Sequence, residues 1–234
     1  MTPRLYLIPV TLGETTLDKV LPPYNRELIR SLRYFIVENV RTARRFLKQN
    51  DASTDIDSLT FFVLNKHTSP VVLSSFLQPI AEGHSVGVLS EAGCPAIADP
   101  GADVVAIAQQ KHIPITPLTG PSSILLALMA SGFNGQNFAF NGYLPINSEQ
   151  RIHKIKQLEQ RLYAEHQTQL FIETPYRNDK LLSDLLKTCR PTTKICVAAD
   201  LTLDTEWICT QIPAEWRKHQ PNLAKRPCIF GLGV

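Results

Sequence analysis

The sequence predicts an α/β protein, a mostly parallel sheet with helices on both faces followed by a second α/β unit on a mixed sheet. Three observations carry that expectation. Short apolar runs of strand length alternate with longer stretches of helical periodicity. The runs at 86–89 and 113–117 are of the kind that fits buried parallel strands, and each stops abruptly, at Ser90-Glu91-Ala92-Gly93-Cys94-Pro95 and at Thr119-Gly120-Pro121-Ser122-Ser123. After Gly132 the texture changes, and the closing strands include a hairpin-like return that needs antiparallel pairing.

Taken in order, residues 5–10 form the first strand, ending in Thr11-Leu12-Gly13-Glu14. Dinucleotide folds carry Gly-x-Gly-x-x-Gly at this place, and a single glycine removes an ordinary nucleotide-phosphate reading. Pro22-Pro23 closes the entry segment, after which 24–32 reads as helix and 34–37 as strand. Residues 40–48 form a helix that Asn39 can cap, and 50–58 is a polar connection. Strand 59–64 ends at Asn65-Lys66-His67-Thr68, 70–81 gives a helix, and 85–90 is the fourth strand. Asp99 is the expected amino-terminal cap of helix 101–111, and strand 113–117 leads into a helical stretch at 124–129. Beyond the polar hinge Asn134-Gly135-Gln136-Asn137, strand 138–144 precedes a long helix from Ser148 to about residue 166, with Ile152, Ile155, Leu158 and Leu162 on its core face. Strand 169–173, helix 178–188, strand 194–201, a return at 206–211 and a last strand at 228–234 complete the second sheet.

Composition bounds the function classes. A chain of 234 residues, 44% hydrophobic and 19% charged, is globular and long enough for one large domain or two small ones. Its net charge of +3 permits RNA or a carboxylate-rich substrate without demanding either. Five cysteines, at 94, 189, 196, 209 and 228, form no Cys-x-x-Cys pair, so neither a disulfide framework nor a zinc site is indicated and no metal is expected. The amino terminus runs straight into a strand with no signal peptide, and no apolar run approaches the ~20 residues that span a bilayer. A soluble, cytoplasmic protein without membrane contact is expected.

The two loops that follow the fourth and fifth strands are the centre of the functional reading. Ligands in open α/β sheets sit outside the carboxyl ends of strands, where Gly93 lets a ligand approach the backbone and Pro95 stiffens the turn. SEAGCPAIADPG followed by LTGPSS resembles the SDAGTPxISDPG and PGPSA signatures of the tetrapyrrole methylase superfamily, and within it the small-subunit rRNA (cytidine-2'-O) methyltransferase branch. The two signatures recur at their expected separation, which makes the pair far more specific than either alone. GYLP at 142–145 is similar to the family's GFLP, and TPYR at 174–177 to its YESPHR. The loop after the first strand, TPIGN in the branch, is PVTLGE here, a loose match.

The resemblance spans nearly the whole chain and implies a two-domain tetrapyrrole-methylase-like fold, residues 1–117 and 118–234, with S-adenosylmethionine (SAM) in the cleft between them. A sulfonium cofactor has no phosphate to cradle, so the missing glycines do not count against it. Carried over, the cofactor contacts are Pro9, Glu91, Ala92, Gly93, Cys94, Pro95, Ile97, Ser122, Ser123, Ile172, Glu173, Ala198 and Pro227. Glu91 suits the methionine amine and ribose hydroxyls, Ser122 and loop amides suit the carboxylate, and apolar walls suit adenine. Glu91 stands where the family usually has Asp and is one methylene longer. The branch's AEDTR motif reads VENVR here, which makes Glu38, Asn39 and Arg41 the catalytic candidates, with Asn39 in place of an acid that could take a proton. Asn39 has an alternative use as the helix cap, Glu38 is the first candidate for the base, and His67 is a candidate for the acceptor side.

The resemblance further implies a homodimer, a small-ribosomal-subunit (16S rRNA) substrate, and absence of the extra carboxyl-terminal domain that many branch members carry. Arg26, Arg30 and Arg33, then Arg41, Arg44, Arg45 and Lys48, form either a phosphate-contacting face or an ordinary solvated one. Three competitors stand beside the rRNA enzyme. Methylation of a tetrapyrrole or other small molecule would want Arg and Lys around the cleft. A SAM-binding module without turnover is allowed by Asn39 and Glu91. A hydrolase using Cys94 or Ser122 lacks a recognisable His-and-acid arrangement.

Overall fold

A computed structural model describes residues 2–64 and 68–234, excluding the side chains of Pro70 and Val71. The chain divides into two compact units, Met1–Ser122 and Ser123–Val234.

In the first unit, five strands form one sheet among the described residues: β1 (Leu5–Ile8), β2 (Tyr34–Val37), β3 (Thr60–Val63), β4 (Val86–Leu89) and β5 (Ile115–Pro117). The order is β3-β2-β4-β1-β5 and every pairing is parallel. One face packs on α1 (Leu17–Val20), α2 (Pro23–Ser31) and α3 (Val40–Asn50), through Ile8, Phe35, Val37 and Leu89 against Leu17, Ile29, Phe46 and Leu47. The other face takes α4 (Pro70–Leu73), α5 (Gln78–Ala81) and α6 (Gly101–Gln110), through Leu5, Ile36, Val86 and Val88 against Leu73, Ile80, Val104 and Ala108. Gly87 turns toward the first face, where a Cβ would lie 2.6 Å from Ile8 Cδ1, so any other residue would make the Ile8 side chain move aside.

The second unit holds β6 (Phe138–Tyr143), β7 (Thr168–Ile172), β8 (Lys194–Ala199), β9 (Trp207–Gln211) and β10 (Cys228–Gly233) in the order β6-β7-β10-β8-β9. Only β6 and β7 run parallel, giving the expected mixed sheet. The helices are α7 (Ser123–Ser131), α8 (Ser148–Glu165), α9 (Asn178–Thr188) and α10 (Pro213–Trp216). Its main core joins Phe171, Val197 and Phe230 to Ile155, Leu158, Leu182, Leu185 and Trp216. A buried pair, Arg151 to Asp184 at 2.6 Å, ties α8 to α9, and Arg151 also donates to the Pro145 and Ile146 carbonyls.

Several expected elements differ in extent. The first strand stops at Ile8 because Pro9 cannot donate to a ladder, and pairing resumes as an isolated bridge between Val10 and Gly93. The entry segment contains the short helix α1, which the sequence reading passes over. The single helix expected at 70–81 is broken by a 3-10 turn at Ser74–Leu77, since Pro79 lacks the N–H that would continue it. Asp99 is not the capping residue itself, which is Pro100, but its Oδ1 accepts from Gly101 N at 2.6 Å. Asn39 caps α3, accepting from Arg41 N at 2.9 Å. His67 lies outside the described residues.

Candidate functional site

The chain leaves β1 and β2 toward the helices of one sheet face and leaves β4 toward α6 on the other. Strand β4 lies between β2 and β1, so a change of face occurs on both of its sides. Neighbouring loops that part to opposite faces open a crevice at the carboxyl ends of their strands. The segment after β4 therefore stands between the loops after β1 and β2.

On the β1 side three loops converge. Val10 N donates to Gly93 O at 3.0 Å, and the Cys94 thiol approaches Pro121 O at 3.5 Å. A Cβ at Gly93, whose φ is +71°, would sit 3.0 Å from Leu12 and 3.2 Å from Pro121 O. One at Gly120 would lie 2.3 Å from Pro9 Cβ, so the loop after β5 presses backbone against the loop after β1. Buried Asn25 fixes that loop from α2 by donating to Thr119 O at 2.7 Å. Pro9, Gly93, Cys94 and the 120–122 turn thus form one rim within this unit.

The segment after β4 is held in an unusual path. Gly93, Ala96 and Ala98 all have positive φ, 71°, 67° and 55°. For alanine that conformation is disfavoured, so outside restraint must maintain it. Asp99 supplies it, its Oδ1 accepting from Ala96 N at 3.1 Å as well as from Gly101 N. Ile97 is left 51% exposed at the tip.

On the β2 side, three carboxyl groups meet. Glu38 follows β2, and burial, the charge of Asp99, a side-chain hydrogen bond with Asp99 and the charge of Glu91 together push its carboxyl up to about 7. Two carboxyl groups can share a hydrogen bond only when one of them carries a proton. Asp99 Oδ2 is buried and meets no N–H donor and no hydroxyl among the described residues, so a protonated carboxyl beside it is the partner that would satisfy it. Glu91 Oε1 accepts from the Thr42 hydroxyl of α3 at 2.7 Å. The extra methylene of Glu91 thereby has a use: it reaches a helix.

Beside these groups an open groove of about 550 Å3 is bounded by residues 10–14, by Ser90 and Glu91, and by Thr42, Arg45 and Gln49 on α3. Arg45 belongs to the basic cluster read from the sequence; Thr42 carries no motif, and its spacing of three from Arg45 on a helix preceded by Asn39 is the signal that could have found it. The basic residues do not form one face with one use. Arg26 pairs with Asp18, Arg30 with Asp51 at 3.0 Å, and Arg44 lies 5.7 Å over the Phe61 ring, while Arg41 and Arg45 are exposed on α3.

In the second unit, Ile172 and Ala198 flank Ile229 on either side of β10, in one cross-strand row. That row lies on the face opposite the main core, where Thr210 also holds α7 by donating to Ser131 O at 2.9 Å. Ser123 opens α7. The Glu173 side chain is buried and engaged: it accepts from Thr174 N and from Arg177, each at 2.6 Å, and those contacts hold its carboxyl below the usual range despite burial. Pro227 O accepts from Asp200 N at 3.0 Å.

Cys94 is unsuited to attack at neutral pH, because burial raises its thiol. Cys189 and Cys228 are each pushed up to about 12 by burial and are inert core thiols. Among the described residues no group of three His, Cys, Asp or Glu side chains could hold a metal ion, and no helix is long and apolar enough to cross a membrane.

Comparison with known proteins supplies a frame for this geometry. Residues 36–212 match the family model described as Tetrapyrrole (Corrin/Porphyrin) Methylases. The protein named "Ribosomal RNA small subunit methyltransferase I" from Vibrio cholerae serotype O1 is 29% identical over 209 residues, covering 88% of this chain and 67% of that protein. Across the relatives of that name the chain spans from 57% to 76% of their length, so about two thirds of the proteins it matches. The crystal structure of the methyltransferase CobJ superposes with a TM-score of 0.65 at 18% identity, over 99% of this chain and 94% of that one. That of uroporphyrin-III C-methyl transferase from Thermus thermophilus, complexed with S-adenyl homocysteine, gives 0.58 at 16%, over 98% and 97%.

Proposed function

The chain belongs to the tetrapyrrole methylase family, and from that premise we propose that it transfers a methyl group from SAM to the 2'-hydroxyl of a cytidine in small-subunit rRNA. The observation that carries the reading is the carboxyl group of Glu38, poised near neutrality at the carboxyl ends of β2 and β4. A hydroxyl acceptor has a proton to lose, and a base whose pKa lies near working pH is suited to take it. The name of the Vibrio relative supports the ribosomal substrate.

The residues present fit the cofactor. Gly93 and Gly120 bring bare backbone to the rim, and the exposed Glu91 carboxylate suits an amine or ribose hydroxyls. SAM supplies an already activated methyl group on a sulfonium. The protein's part is to hold the acceptor in line, which is worth ~7 to 11 kcal/mol of barrier, and to receive its proton. In this reading Pro9, Glu91 to Pro95, Ile97, Ser122, Ser123, Ile172, Glu173, Ala198 and Pro227 border the cofactor, with Glu173 acting through its ion pair with Arg177. Asn39 serves as the cap of α3 rather than as a base, and Arg41 and Arg45 meet RNA phosphates.

Three carboxylates on the β2 side disfavour a tetrapyrrole, whose own carboxylates would want cations there. The protein is proposed to work in the cytoplasm as a homodimer, a state that light scattering of the purified chain tests. The functional test is transfer of labelled methyl from SAM to small ribosomal subunits that lack the modification. Labelling of a cytidine 2'-oxygen supports the reading. A chain that binds SAM but labels neither these subunits nor a tetrapyrrole panel is a module without turnover.

A further inference from the structure

The two oxygens of Asp99 have different surroundings. Oδ1 is occupied by two backbone donors, Ala96 N at 3.1 Å and Gly101 N at 2.6 Å, which fix the orientation of the carboxylate. Oδ2 is thereby held in a set position, buried, with no hydrogen-bond partner among the described residues. A cap needs only one oxygen. Capping explains Oδ1 and leaves the placement of Oδ2 unexplained. The neighbour that could satisfy it is Glu38, and only when Glu38 carries a proton.

Resting on the reading of Glu38 as the base, we propose that Asp99 is its positioning residue: Oδ2 aligns the Glu38 carboxyl and accepts a hydrogen bond from the proton that Glu38 takes from the acceptor hydroxyl. One proton moves. It leaves the acceptor oxygen for a Glu38 oxygen, where Asp99 Oδ2 accepts a hydrogen bond from it; release of the proton to water returns Glu38 to its starting charge. Among the described residues the charged groups acting on Glu38 are Asp99 and Glu91, both from the segment after β4, with Thr42 of α3 satisfying one oxygen of Glu91. Both of those charges are negative, so both favour the protonated form of Glu38. The strained path through Ala96 and Ala98 brings Asp99 to this place, which gives that loop geometry a use beyond cofactor contact.

Asp99→Asn separates the two oxygens. An amide keeps the Oδ1 acceptor for Ala96 and Gly101 but presents an N–H toward Glu38, which favours the ionised form. Carboxyl 13C NMR of the purified chain, with the Glu38 signal assigned by its loss in Glu38→Gln, is expected to place the Glu38 midpoint near neutrality and to move it at least tenfold in proton affinity toward acid in Asp99→Asn. The acid limb of the methyl-transfer rate is expected to move with it. Should Asp99→Asn fail to fold, the native titration decides: a Glu38 midpoint at the ordinary ~4.3 overturns the proposal. Transfer whose acid limb is unmoved by Asp99→Asn overturns the role of Asp99 alone. Absence of transfer by the unmutated chain at every pH overturns the functional reading and the proton role together.

Discussion

Glu38 shows how much a single residue's chemistry depends on what folds against it. Its side chain is an ordinary carboxyl in the sequence, and burial beside Asp99 and Glu91 moves it to about 7. Glu38→Gln is therefore expected to lower methyl transfer by ~10²- to 10⁴-fold with SAM affinity retained, measured by labelled-methyl incorporation and calorimetry. The same shift has a consequence for stability. The folded chain keeps a proton on Glu38 that the unfolded chain releases above the ordinary value of 4.5, so stability falls as pH rises from about 4.5 through about 7 and then levels. Glu38→Gln lacks that proton and is expected to gain stability relative to the unmutated chain across this window, as chemical denaturation at several pH values can measure. Asn39 is the opposite case, a residue in a catalytic motif whose side chain is spent on backbone. Asn39→Ala is expected to cost ~0.5 to 2 kcal/mol of stability, with a smaller effect on rate than Glu38→Gln.

At the scale of elements, the loops after β1, β4 and β5 hold one another through Val10 N to Gly93 O, the Cys94 thiol to Pro121 O, and the Gly120 backbone against the Pro9 ring. The approach of Gly120 to Pro9 is too close for any side chain, since a Cβ would meet Pro9 at 2.3 Å. Gly120→Ala must push the two loops apart, and overpacking of this kind costs ~1 to 3 kcal/mol. In the proposed reading it also opens the cofactor rim, so the affinity for SAM measured by calorimetry is expected to fall more than that of Asn39→Ala. A variant that melts lower yet binds SAM as before would remove the rim from the cofactor site. Helix α3 ties the β2 side to the groove in another way: Asn39 starts it, Thr42 holds Glu91, and Arg45 borders the groove.

At the scale of the whole molecule, each unit carries its own sheet and core, and the second is pinned by a buried ion pair between α8 and α9. Asp184 is held below the usual carboxylate range by hydrogen bonds from Arg151 and Lys180 that outweigh its burial. Asp184→Ala leaves the Arg151 guanidinium buried with its partner gone. The expected loss is ~3 to 5 kcal/mol, read as a lower unfolding midpoint with native secondary structure in circular dichroism retained below it. Because the pair lies in the second unit, hydrogen exchange is expected to rise in residues 123–234 before it rises in residues 1–122.

The sequence by itself determined the alternation of strands and helices, the parallel and mixed sheets, and the two loops on which the family rests. Apolar runs, Gly and Pro act locally, and local chemistry is readable one segment at a time. It determined Asn39 as a cap for the same reason, and it failed at 70–81, where a proline inside an apolar run breaks the helix without ending it. Only the tertiary structure decided that Glu38, Glu91 and Asp99, up to 61 positions apart, act on one another, that Thr42 holds Glu91, and that Asp99 has one oxygen engaged and one without a partner. Charge coupling and burial fall off with distance in space, and the strand order β2-β4-β1 that sets those distances is written in no single segment.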